Sequence, residues 1–180
     1  DLDLNEKTSY INSKSLISGI KEDYDEALET ATEDEKTILN GQKKLEIIQA
    51  VKNSGLTDEA KAYLYTRNYG DYATVNAINS LGISMNDYLD LESQNFTSDK
   101  YANGKTVPNS KKKKTINYIN SMNLTMEQKV VLAKLKYPSM KTYNSQIIRY
   151  IQNNRYLDYD EKLLLLDKLG FKVENNRISW

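Results

Sequence analysis

Apolar positions along this chain fall into short clusters at helical spacing, and from Leu45 onward the clusters come in pairs divided by a polar break. Four stretches overlay, beginning at Leu45, Thr74, Thr115 and Ile147. In the first, Ile47, Ile48 and Val51 form a stripe that ends near Gly55, a residue suited to a helix stop. Ile116, Ile119 and Met122 repeat the stripe in the third unit, and Ile147, Ile148 and Ile151 repeat it in the fourth. Each break then places an apolar residue ahead of a capping type: Leu56-Thr57, Ile83-Ser84, Leu124-Thr125 and Leu157-Asp158. The capping side chain can accept from the free N–H groups of the next helix, and the apolar residue can pack forward as a staple. Thr125 with Gln128 and Asp158 with Glu161 complete capping boxes; Ser84 with Asp87 is a weaker version, and Thr57 with Ala60 lacks the reciprocal partner. Four helix starts are therefore expected at Thr57, Ser84, Thr125 and Asp158. Beyond the caps, Val130, Val131, Leu132 and Leu135 line a wide face, as do Leu163 to Leu166 and Leu169, with Pro138 and Gly170 as the stops.

Upstream, Leu16, Ile17, Ile20, Tyr24, Ala27 and Leu28 recur near a period of 3.6, which predicts one acidic amphipathic helix from about Ser13 to Thr32. Residues Asn95 to Ser110 lack periodicity and carry Asn, Gly, Pro and Ser, so they read as a loop and a boundary between subdomains. The tail FKVENNRIS alternates around Asn-Asn and predicts a small hairpin. The expected fold is all-α, with repeated short helix-hairpin units forming a bundle or short solenoid. Its expected divisions are an acidic helical arm over 1–40, a first pair of units over 41–94, a linker over 95–110 and a basic second pair over 111–180.

Composition narrows the chemistry. The chain has 180 residues, 39% apolar and 28% charged, with no cysteine and no histidine. Disulfides, thiolate nucleophiles and Cys/His zinc sites are excluded, and the commonest general base near neutral pH is missing. No apolar run approaches the roughly 18 residues of a membrane span. No leader-like segment marks secretion, and the start at Asp1 suits a fragment or processed product. Calcium loops of the EF-hand type need a central glycine that neither DLDLNEKTSYIN nor DYDEALETATED supplies. Asp158 and Glu161 could serve as a hydrolytic carboxylate pair only by charge count, since capping accounts for both. The sequons at Asn95 and Asn123 carry little without secretion, and the second coincides with a cap. No catalytic residue, metal site or cofactor is expected.

Charge is zero overall but sharply divided. Residues 1–40 hold 11 acids and 4 bases, residues 41–99 hold 8 and 5, and residues 100–180 hold 6 and 16, a net of +10. The candidate interaction residues are Glu22, Asp25, Glu26 and Glu29 on the acidic helix and Lys111, Lys112, Lys113 and Lys114 at a helix start. The lysines could neutralise phosphates or pair with an acidic surface. Among the fourteen tyrosines, Tyr65, Tyr69 and Tyr72 would share one helix face, with Tyr63 elsewhere, and core packing is the favoured role over base stacking.

The third unit, with the LGISMNDYL before it, resembles C-terminal helical segments of tail tape-measure or other large virion proteins from phages and prophages of low-GC Gram-positive hosts. The matching residues are Gly104-Lys105-Thr106, Ser110 to Lys114, Tyr118 to Ser121 and Leu124 to Lys129, with Met122 where leucine is usual. The likeness spans roughly residues 75–170 and its motifs are structural, so no catalytic residue comes with it. It implies a non-enzymatic particle component, located in the virion or in host cytoplasm during assembly, whose partners are other virion proteins or copies of itself. The alternatives are binding of phage DNA by the basic half and a carboxylate-dependent cell-wall hydrolase.

Overall fold

The computed structural model describes residues 3–94, 108–174 and 177–179, with backbone alone for 108–111. Two capping boxes open the chain. Asp3 and Glu6 cap α1 (Leu4–Thr30), and Thr32 and Glu35 cap α2 (Glu33–Lys52). The expected helix over 13–32 thus begins earlier and stops at Thr30, because Thr32 starts the next helix instead of ending this one. Helix α2 runs unbroken through residues 40 and 41, where the arm was expected to end. Only part of the expected stripe on α1 is covered: Ile17 is buried and Ile20 half-buried, while Leu16 and Ala27 are exposed. The helix packs chiefly against α2, and also against α3 (Asp58–Thr66).

The remaining helices are α4 (Tyr72–Ser80), α5 (Met85–Ser93), α6 (Pro108–Ser121), α7 (Met126–Lys136), α8 (Asn144–Asn153) and α9 (Tyr159–Lys168). Strands β1 (Lys172–Glu174) and β2 (Arg177–Ser179) pair antiparallel with Val173 opposite Ile178, the hairpin the tail predicts. The all-α class holds among the described residues. Of the expected linker, 95–107 lies outside them, and Pro108 to Ser110 begin α6. Proline suits that first turn because its missing N–H would have no helical partner there.

All four expected caps form. Thr57, Ser84, Thr125 and Asp158 accept from the backbone N–H groups of Ala60, Asp87, Gln128 and Glu161. The staple residues Leu56, Ile83 and Leu157 are buried and Leu124 is half-buried. Helix α7 stops before Pro138, and Gly170 takes a φ of 83° after α9. A Cβ on Gly170 would also approach the Pro138 carbonyl oxygen to 3.3 Å, so the two stops touch.

Three of the four units keep their own two helices in contact, α2 with α3, α6 with α7 and α8 with α9, and the second unit departs from this. α2 lies on α3 and α5, α5 on α6, α6 on α7, α7 on α8, α8 on α9, α9 on α4, and α4 on α3, returning to α2. In the second unit α4 turns chiefly to α3 and α9, and α5 to α2, α3 and α6. Gly82 makes this divergence possible with a φ of 85° between them. One buried apolar cluster runs from Ile17 to Phe171.

Candidate functional site

The acidic residues sit where α1 faces outward. Glu22, Glu26 and Glu29 are exposed and hold no ion pair among the described residues. Asp25 differs: its carboxylate takes the Lys43 ammonium at 2.6 Å, tying α1 to α2. Nearby, the Tyr24 hydroxyl donates to Glu46 and Lys21 donates to Asn68 at 3.0 Å. Three of the four acidic candidates therefore remain available to a partner, and the fourth is structural.

The basic run forms the first turns of α6. Lys112, Lys113 and Lys114 are exposed, and the Lys112 ammonium lies 5.3 Å from the centre of the Tyr137 ring. The Lys111 side chain lies outside the described residues. Glycine, lysine and threonine at 104–106 and the sequon at Asn95 lie outside them too. A second basic group gathers around the α8–α9 break. Arg149, Arg155, Tyr150 and Tyr156 line a cavity of about 600 Å³, with Arg155 stacked over Tyr156 at 5.0 Å.

Opposite charges of the two halves meet inside the molecule at places the sequence did not single out. Glu92 is buried and accepts from Lys44 at 3.2 Å and from Lys136, so α2, α5 and α7 meet on one carboxylate. Burial pushes this carboxyl up, but Lys136 and then Lys44 outweigh it and hold it below the ordinary carboxylate range. The buried Tyr65 hydroxyl lies 3.4 Å from the same carboxylate. Burial first, and the charge of Glu92 second, push both the Tyr65 and Tyr88 phenols well above their ordinary value. Asp71 and Lys168 make a second link between the halves at 3.4 Å, half-exposed to solvent. Lys134 is buried as well. Its ammonium donates to the Met140 carbonyl and lies 5.0 Å from the Phe171 ring centre, and burial lowers its pKa.

The capping residues do more than cap. Gln128 accepts from Thr125 N–H at 2.9 Å and donates through Nε2 to the Leu81 carbonyl at 2.9 Å. Asp58 accepts from the Met85 N–H at 3.0 Å, and Asn76 donates to Glu161 at 3.4 Å. Each contact ties one break to another unit. Sequence pattern identifies the capping residues Gln128 and Glu161, but their second partners lie 47 and 85 residues away, beyond any local signal.

Tyrosine placement departs from the expectation of one shared face. Tyr65 and Tyr69 meet at 5.6 Å with their rings tilted by 36°, but Tyr72 joins Tyr63 at 5.8 Å. Tyr69 still follows Tyr65, its N–H donating to the Tyr65 carbonyl at 3.0 Å, but Gly70 then turns the chain at a φ of 111° and Tyr72 starts α4.

Among the described residues no group of three or more acids is placed to hold a metal ion, and no helix is long and apolar enough to cross a membrane. No protein-family model, curated protein or solved structure matches this chain.

Proposed function

We propose that the chain is a non-enzymatic interaction module of a phage particle, tail or interior, that docks onto copies of itself or other virion proteins. Support comes from the separation of its two charged faces. Glu22, Glu26 and Glu29 are exposed on α1, which packs on α2 and α3; Lys112 and Lys113 are exposed on α6, which packs on α5 and α7. Glu22, Glu26 and Glu29 thus find no ion pair among the described residues, and a second copy offers both signs. Charge supplies orientation and on-rate in such docking, while apolar area supplies most of the affinity. Leu4, Ile11, Leu16 and Ile38 are exposed on the same helical hairpin and provide that area. The phage assignment rests on the resemblance over residues 75–170.

Sedimentation velocity at low and high salt tests the docking. Self-association is expected at low salt and should weaken as salt screens the faces. Reversing Glu22, Glu26 and Glu29 to lysine should abolish it, and adding Lys112→Glu with Lys113→Glu should restore part of it. A monomer under both salt conditions would sink the proposal. Nucleic-acid binding is the second reading, favoured by the +10 charge of residues 100–180 and the Arg149–Arg155 cavity. Titrating labelled DNA against wild type and a variant with alanine at 111–114 separates the two.

A further inference from the structure

Three tyrosines from three helices converge on a cavity of about 710 Å³ at the foot of α1. Tyr63 on α3 stands between the others, 6.3 Å from Tyr10 of α1 and 5.8 Å from Tyr72 of α4, the latter nearly perpendicular at 78°. Tyr63 is 50% exposed, which leaves part of its ring open to the cavity. The Tyr10 hydroxyl is buried with no hydrogen-bond partner. Arg67, Glu6 and Glu59 complete the polar lining. No hydrogen bond or ion pair holds the Arg67 guanidinium among the described residues. Glu59 takes only a long contact from Tyr72 at 3.5 Å, and Glu6 one from the Asp3 N–H at 3.3 Å.

The charge balance chooses between ligand classes. Glu6, Glu59 and Tyr72 all lie in the first turns of their helices, where the backbone carries partial positive charge. The two carboxylates offset that charge, and Arg67 opposes them in turn. A cation would be drawn by Glu6, Glu59 and the ring faces but would sit beside the Arg67 guanidinium, and an anion would meet the two carboxylates. A purely apolar ligand would strip water from these groups without replacing it, which is unfavourable. A neutral ring bearing hydroxyls satisfies all of them. Its hydroxyls can donate to Glu6 and Glu59 and accept from Arg67, while its C–H face lies on Tyr63. We propose that this cavity binds a neutral saccharide, with Tyr63 as the stacking platform.

The proposal does not rest on the docking faces, which occupy other surfaces. Saturation-transfer NMR on the full chain, with chitobiose, cellobiose and maltose as probes and choline and inorganic phosphate as charged controls, tests it. At least one disaccharide should receive transfer at its C–H protons, equally at low and high salt. Tyr63→Ala should weaken that binding roughly tenfold, the scale of one lost stacking contact, and Tyr63→Phe should retain it. Arg67→Met, a change at an exposed side chain, should weaken it too, and unchanged thermal midpoints separate loss of binding from loss of fold. Absence of transfer from all three sugars overturns the proposal, as does tighter binding of choline or phosphate, or full binding by Tyr63→Ala.

Discussion

Glu92 is the residue on which most depends. A carboxylate inside the core is tolerated because two ammonium groups and a phenol surround it, and each of those groups is in turn nearly buried. Removing its charge leaves Lys44 and Lys136 facing one another with little water. Glu92→Gln is expected to cost about 3 kcal/mol, the scale of breaking a buried ion pair from one side, measurable by urea denaturation at neutral pH. The pH dependence has a definite sign. The folded carboxyl sits below its ordinary 4.5, so in acid the unfolded chain takes up the proton first. Stability is therefore full above the ordinary value and falls as pH drops through it toward the lower folded value. Denaturation midpoints followed down through the acid range should show this fall in wild type and a shallower one in Glu92→Gln. An identical acid slope in both would show that other carboxylates carry the effect.

At the scale of elements, helix starts are where local and tertiary chemistry coincide. Gln128 closes the capping box of α7 with its oxygen and holds the Leu81 carbonyl with its nitrogen. Gln128→Glu keeps the first bond and sets a carboxylate against a carbonyl in place of the second. A loss of about 1–2 kcal/mol is expected, whereas the same glutamate is the native partner at Glu35 and Glu161, whose boxes need only the oxygen. Among the described helix starts, α8 has no side-chain cap. Tyr143 precedes it with a φ of 63°. Asparagine tolerates that left-handed conformation better than tyrosine, so Tyr143→Asn should stabilise the protein by roughly 0.5–1 kcal/mol, read as a raised thermal midpoint.

For the whole molecule, the acidic and basic portions are joined by a common core. Glu92–Lys136, Asp71–Lys168 and Gln128–Leu81 cross between them, and the apolar cluster is continuous from Ile17 to Phe171. Separating residues 1–94 from 108–180 would expose apolar side chains such as Leu89, Leu91, Ile119 and Val131, all of them buried now. Residues 1–94 and 108–180 expressed separately are therefore expected to lack cooperative unfolding transitions, and mixing them should restore one. Sharp independent transitions for the two fragments would instead mark them as separate domains.

Helix content, the four capped breaks and the terminal hairpin were all present in the sequence, because caps and periodicity act within a few residues. Thr32-x-x-Glu35 carried the same signal and marks the break that the periodicity of α1 obscured. The acidic and basic candidates were equally visible as runs of charge, but which of them stay available was not: Asp25 is spent on Lys43, and Glu22, Glu26 and Glu29 are not. Tertiary structure alone decided that Glu92 belongs in the core, that Gln128 reaches Leu81, and that Tyr10, Tyr63 and Tyr72 meet. Such contacts depend on where whole helices come to rest, and that position is set by the sum of many burial contacts distant in sequence. Short-range pattern determines where each helix begins and ends; the closing of α9 onto α4 determines what the helices present to one another.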